Sequence, residues 1–177
     1  MHALAMDQRG HGDGDKPAQG YALLGFRRGR RGVHGRSKEP EWAAPFADEV
    51  DRLTDPVDRG WVKASLEWFP TFHDIPQWYI EDRVDDGVRM PAHVWHDALA
   101  GLATARPPTE TGTIRALTLI IWGGRDELLQ WEEQESLSAK IPGSRVVVYA
   151  DTGHLVLWEQ PELVAADLKT FVESLPA

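Results

Sequence analysis

Cysteine is absent from all 177 residues of the sequence. This excludes a disulfide framework and a thiolate zinc site. No apolar run approaches the roughly 20 residues that a membrane-spanning helix needs. The apolar start, residues 1–6, is interrupted at once by Asp7 and is too short for a signal peptide. We therefore expect a protein without membrane segments that works in the cytoplasm.

Basic side chains are also in the minority, with 19 lysines and arginines against 28 aspartates and glutamates and a net charge of -9. Nucleic-acid-binding domains usually carry a basic face, so this balance argues against a nucleic-acid partner. The one basic stretch, between Arg27 and Arg36, contains five arginines alternating with glycines and lacks interleaved tryptophan or tyrosine. It is compatible with phosphate binding but is more typical of a solvated segment.

A third absence concerns chemistry, because the sequence contains no Gly-x-Ser-x-Gly. That motif forms the sharp strand-to-helix turn that exposes a nucleophilic serine in many hydrolytic enzymes. Any nucleophile in this chain must therefore be presented in another way.

Two similar segments stand out near the C-terminal end. The apolar run Leu117–Trp122 predicts a buried strand, and the turn after it ends in Asp126. The run Val146–Tyr149 predicts a second strand, and the turn after it leads to His154. An acid that orients an imidazole, and an imidazole that accepts a proton, are two members of a nucleophilic triad.

The pattern along the chain divides it into four parts. Residues 1–24 contain a predicted strand, Ala3–Met6, and a glycine-rich loop, and residues 25–40 form the aberrant arginine- and glycine-rich segment. Residues 41–111 have helical, tryptophan-rich periodicity interrupted by prolines, which indicates a helical, lid-like region. Residues 112–177 alternate strand, helix, strand and helix, which predicts a parallel sheet.

The helices of this last part have their own signals. We expect one around Glu132–Lys140 and a final one from Pro161 to about Leu175. Proline suits the first turn of a helix. One apolar stripe runs along the final helix, made by Leu163, Val164, Leu168, Phe171, Val172 and Leu175. The fold class predicted is α/β, with a partial parallel sheet and a helical lid-like insertion.

Three motifs in this order resemble the α/β-hydrolase fold family, in the branch of small bacterial esterases, lactonases and carbon–carbon hydrolases. They are Asp7-x-Arg9-Gly10-x-Gly12, the acid loop from Ile121 to Asp126, and Gly153-His154 followed by the segment 158–162. The resemblance covers residues 1–24 and roughly 41–177. It implies a small-molecule substrate, no cofactor, Asp126 as the orienting acid and His154 as the general base.

The same resemblance places three strands before residue 1 and the serine turn between Tyr21 and Glu41, where this sequence has neither an elbow strand nor the motif. It also leaves the strand Ala3–Met6 without its usual neighbour. Open strand edges pair readily with other chains, so we expect a rearranged sheet or a homo-oligomer formed through these edges.

The aberrant segment has a possible origin in its codons. Residues 25–36 can be encoded by bases which, read one position later, give Asp-Phe-Ala-Ala-Asp-Val-Val-Ala-Phe-Met-Asp. That peptide is an amphipathic helix of the kind the family has before its serine turn. We interpret residues 25 to about 40 as a frame-shifted remnant, which the gene sequence can test.

Ser37 is the serine whose surroundings come nearest to the missing motif, although Glu39 replaces the last glycine. The candidates for the nucleophile are therefore Ser37 and a water molecule activated by His154. Asp13 could also be considered as an aspartate nucleophile, but its place between two glycines is more typical of a turn residue. The remaining serines read as residues of helix surfaces or turns, namely Ser65, Ser136, Ser138, Ser144 and Ser174.

Two further patterns have competing interpretations. His93 and His96, with Asp97, lie on one helical face and are compatible with a metal site, but no third ligand is specified, and we predict no bound metal. The tryptophans between residues 42 and 95 suit either an acyl pocket or a hydrophobic core.

The sequence thus supports two functions. One is a hydrolase of small carboxylic esters or lactones that uses Asp126 and His154 with Ser37 or water. The other is a non-catalytic, ligand-binding relative that forms a homo-oligomer.

Overall fold

A computed structural model of the protein describes residues 43–104, 109 and 114–175. The predicted strand Ala3–Met6, the loop from Asp7 to Gly12, the aberrant segment 25–40 and Ser37 lie outside these residues. The helices in the first part are α1 (Ala43–Asp51), α2 (Arg59–Ser65), α3 (Gln77–Arg89) and α4 (Ala92–Thr104), with a 3₁₀ turn at Leu66–Trp68. The later elements are β1 (Leu119–Gly123), α5 (Trp131–Lys140), β2 (Arg145–Tyr149), α6 (Val156–Glu159) and α7 (Pro161–Glu173).

The described residues form two compact units. The helical unit contains residues 43–66 and 77–104, and the sheet unit contains residues 67–76 together with those from 109 onwards. Residues 67–76, which follow α2 in the chain, belong to the sheet unit. The division of the chain into four parts stays a prediction.

The helical unit is held together by aliphatic residues of four segments. Asp58 caps α2, since its carboxylate accepts a hydrogen bond of 2.8 Å from the amide of Trp61. The rings of Trp61 and Trp95 meet edge to face with centroids 5.1 Å apart. These rings pack against buried Val57, Val62, Val84 and Ala92. Two of the tryptophans predicted for a pocket or a core are therefore core residues, whereas Trp78 is 70% exposed.

The sheet unit has the predicted strand, helix, strand, helix order. Strands β1 and β2 are parallel, with Ile120 opposite Val146 and Gly123 opposite Tyr149. Helix α5 makes the connection that two parallel strands require. The α/β fold class and its partial parallel sheet are confirmed, and the observed element ends differ from the predicted ones by one to a few residues.

The last helix departs from the simplest expectation for its apolar stripe. Val164 is buried, but Leu163 and Leu168 are 51% and 47% exposed. Helical periodicity correctly placed these residues on one stripe, but periodicity does not specify how much of a stripe is covered by other elements.

Candidate active site

The candidate site forms where the two parallel strands end at the same edge of the sheet. Strand β1 ends at Gly123 and the chain turns towards Asp126, and β2 ends at Tyr149 before the turn to His154. Two backbone hydrogen bonds join the turns: the amide of Gly124 donates to the carbonyl of Tyr149 at 2.8 Å, and that of Arg125 to the carbonyl of Thr152 at 2.9 Å. Pairing of the main chains thus continues beyond the strands and brings the acid loop to the histidine loop.

The absence of a side chain at Gly123 allows this approach. A Cβ atom on Gly123 would lie 2.0 Å from the carbonyl oxygen of Gly153 and 2.5 Å from that of Thr152. Real Cβ atoms essentially never come so close to backbone oxygen. The glycine after the apolar run is therefore required by packing of main chain against main chain.

Asp126 and His154, the predicted acid and base, are in direct contact. Nδ1 of His154 lies 2.9 Å from Oδ2 of Asp126. The Asp126 side chain is 4% exposed and the His154 side chain 28% exposed. Because an ionised carboxylate only accepts hydrogen bonds, Nδ1 carries the proton in a neutral imidazole and Nε2 carries the lone pair. This is the tautomer in which Nε2 can act as a base.

The second oxygen of Asp126 is held by the main chain. Oδ1 accepts hydrogen bonds from the amides of Leu128 at 2.8 Å and Leu129 at 3.0 Å. Burial of the carboxylate raises the pKa of Asp126, but the hydrogen bonds from His154 and from these two amides outweigh it, so the pKa is lowered overall. Asp126 is therefore a carboxylate at neutral pH, fixed at both oxygens.

Two side chains beside the pair were not singled out from the sequence. The ring of Phe69 stacks on the His154 imidazole with centroids 5.2 Å apart and planes inclined by 23°. Glu159 is only 5% exposed and accepts hydrogen bonds from main-chain amides. No local pattern indicates the burial of Glu159, and none relates Phe69 to a histidine 85 positions later.

The five other serines lie among the described residues, and one of them differs from the prediction. Ser65 is buried at the end of α2, and its hydroxyl donates to the carbonyl of Val62 at 2.8 Å. It was predicted on a helix surface or turn, but this bond satisfies the hydroxyl without solvent. Ser138 and Ser144 bond to each other at 2.9 Å, and Ser174 bonds to the carbonyl of Phe171. The assignment of Ser37 or water as nucleophile stays a prediction.

His93 and His96, the histidine pair considered as a metal site, both lie in α4. Within residues 43–104, 109 and 114–175, no three histidine, aspartate or glutamate side chains are arranged to hold a metal ion. Over the same residues, no helix has the length and apolar character to cross a membrane.

The fold is similar to that of known hydrolases. The structure of an esterase from Exiguobacterium antarcticum superposes with a TM-score of 0.72 at 20% identity, over 95% of this chain and 80% of the esterase. At this identity the similarity concerns the fold alone.

Two protein sequences are similar over a shorter length. The uncharacterized hydrolase YugF of Bacillus subtilis (strain 168) is 32% identical over 66 residues, which are 37% of this chain and 24% of YugF. Lipase 3 of Moraxella sp. (strain TA144) is 33% identical over 58 residues, 33% of this chain and 18% of the lipase. The matched part of the chain thus spans about a quarter of these relatives or less.

A family model for the alpha/beta hydrolase fold matches residues 61–161, which is more than half of the sequence and includes both Asp126 and His154. The resemblance seen in the acid and histidine loops is therefore confirmed at the level of the family. The chain belongs to the α/β-hydrolase fold family.

Proposed function

We propose that this protein hydrolyses small carboxylic esters or lactones, with His154 as general base and Asp126 as the acid that orients it. The observation that carries the proposal is the 2.9 Å contact between Nδ1 of His154 and Oδ2 of Asp126 at the ends of two parallel strands. The esterase and lipase names of similar proteins support ester bonds as the substrate class.

The chemistry follows from the tautomer. Nε2 of His154 takes the proton from a hydroxyl group as its oxygen attacks the ester carbonyl carbon. The imidazolium formed is stabilised by the Asp126 carboxylate and returns the proton to the leaving alkoxide when the ester bond breaks. With Ser37 as the attacking group, an acyl-enzyme forms and water then releases the acid in a second, equivalent step. With water as the attacking group, the acid is released directly.

The two routes differ in expected rate. General-base assistance contributes roughly 10²–10⁴-fold, and direct attack by water lacks the further advantage of a covalent intermediate. A slow enzyme is therefore the expected result if water is the nucleophile.

The alternative is a non-catalytic protein that binds an apolar small molecule as a homo-oligomer. The lack of Gly-x-Ser-x-Gly in the 177 residues favours it. The packing of Trp61 and Trp95 in the core of the helical unit weakens it, because these rings contribute to that core. The monomeric or oligomeric mass from light scattering tests the assembly separately.

The deciding experiment measures hydrolysis of a short-chain nitrophenyl ester by the purified protein and by His154→Ala. We expect the variant to lose roughly 10²–10⁴-fold in kcat/KM. Asp151→Asn is the matched control, because this exposed acid lies in the same loop, three residues before His154. Equal rates for the parent and His154→Ala would refute the hydrolase proposal. If His154→Ala is slower, the rate of Ser37→Ala separates the serine route from the water route.

A further inference from the structure

Glu159 occupies an unusual position at the end of α6. Its side chain is buried, with 5% of the residue exposed. Oε1 accepts a hydrogen bond of 3.0 Å from the amide of Gly153, and Oε2 accepts bonds of 2.6 Å and 3.1 Å from the amides of Phe72 and His73. Burying a carboxylate is costly unless donors replace water, and here three main-chain amides do so.

The three amides belong to two pieces of chain that meet at His154. Gly153 immediately precedes His154, so its amide fixes the backbone from which the imidazole projects. Phe72 and His73 lie in the segment 67–76, whose Phe69 ring stacks on that imidazole. A single carboxylate therefore holds both the backbone of the histidine and the segment that supports one face of its ring.

Neighbouring residues also restrict the contact between the histidine loop and the segment 67–76. A Cβ atom on Gly153 would lie 2.7 Å from the carbonyl oxygen of Pro70 and 3.0 Å from the Phe72 ring. The side chain of Gln160 reaches Nε2 of His73 at 2.8 Å. The histidine loop and the segment 67–76 are thus packed main chain against main chain, with Glu159 bonded to both.

We infer that Glu159 is a positioning residue that sets the orientation of the His154 imidazole towards Asp126. It acts through the Gly153 amide on one side and through the Phe69-bearing segment on the other. Its consequence for catalysis rests on the proposed function, but its effect on the imidazole does not.

Glu159→Gln tests the inference with almost no change in size. An amide offers one acceptor oxygen, so in either orientation its NH₂ group faces a main-chain N–H and at least one of the bonds is lost. Glu162→Gln is the matched control, because Glu162 is an exposed glutamate in the first turn of α7, three residues away.

The primary measurement is the NMR signal of the His154 Nδ1 proton, assigned by its disappearance in His154→Ala. In the parent and in Glu162→Gln we expect a downfield proton protected by Asp126. In Glu159→Gln we expect the exchange of this proton with water to become about tenfold faster or more, while the rest of the spectrum is still that of a folded protein. A purely structural role would lower stability and leave this signal in the folded molecules unchanged, and that result would overturn the inference.

The second measurement is kinetic. Misplacement of a catalytic group by about 1 Å costs up to roughly 10²-fold, so we expect kcat for ester hydrolysis to fall about 10- to 100-fold with little change in KM. Should His154→Ala match the parent in activity, the proposed function fails, but the NMR comparison still tests the position of the imidazole.

If Glu159→Gln does not fold, Glu159→Asp takes its place in the same NMR comparison. The shorter side chain keeps both oxygens but cannot reach the Gly153 amide and the 72–73 amides together. An Nδ1 proton as protected as in the parent would refute the inference in this variant too.

Discussion

The two units of the molecule use carboxylates in opposite ways. On α3, Glu81 accepts hydrogen bonds from Arg59 at 2.6 Å and Lys63 at 3.2 Å, and Asp85 also pairs with Arg59. All of these side chains are substantially exposed. In the sheet unit, Asp126 and Glu159 are buried and are held by two and three main-chain amides.

The difference teaches which carboxylates are fixed. The hydrogen bond from Arg59 is the main cause that lowers the pKa of Glu81, but both side chains can swing into water and exchange partners. A main-chain amide cannot leave without moving the fold. The geometry at His154 is therefore set by backbone donors, whereas the pairs on α3 are surface features.

The largest effect on stability is expected at the glycine that allows the loops to meet. Gly123→Ala places a Cβ atom against the carbonyl oxygens of Gly153 and Thr152, and overpacking of this kind costs about 1–3 kcal/mol or more. Urea denaturation measures the loss in the free energy of unfolding. Ser136→Ala, at an exposed position of α5, is the control and should be neutral or stabilising. Equal stability of Gly123→Ala and the parent would show that the backbone contact is dispensable.

A smaller, pH-dependent effect is expected at Asp126. Its pKa is lower in the folded protein than the ordinary value of 3.8, so its ionisation stabilises the fold above that pH and ceases to do so as the pH falls through the folded pKa. Asp126→Asn should therefore lose about 1–3 kcal/mol at neutral pH, and the difference from the parent should shrink as the pH falls below 3.8. Denaturation curves across this range provide the measurement, with Asp151→Asn as control. A difference that is constant with pH would contradict the assignment.

The smallest effect is expected on α3. Glu81→Gln removes an exposed partner of Arg59 and Lys63, and exposed ion pairs contribute little because solvent and salt screen them. The unfolding midpoint should stay close to that of the parent, and the small difference should diminish in high salt. A loss as large as that of Asp126→Asn would erase the contrast between the two units.

The sequence predicted the parts of the site that depend on local pattern. Two apolar runs, each followed by a turn that contains glycine, indicated two strands. Because the carboxyl ends of neighbouring parallel strands lie at the same edge of a sheet, Asp126 and His154 come together. Periodicity likewise predicted α5 and α7 within a few residues. These features need only neighbouring residues and the geometry of a sheet.

The parts that the sequence did not predict depend on distant packing. Phe69 reaches His154 because the segment 67–76 joins the sheet unit, and nothing in its own pattern indicates this. Ser65 is buried through a bond to its own helix, and Leu163 and Leu168 are half exposed although they share the stripe of buried Val164. Glu159 was part of a recognised motif, but of the three amides that it binds only that of Gly153 is near it in the sequence. Those of Phe72 and His73 lie more than 80 residues earlier.

The direct contact of Gly123 with the Gly153 carbonyl has a consequence for engineering. Because main chain packs against main chain here, the approach of the acid loop to the histidine loop is set by the backbone. An exposed position of the acid loop such as Glu127 can therefore be varied while this backbone contact is kept. Variants made in this way would change the surface of the acid loop and leave its main-chain contact with the histidine loop in place.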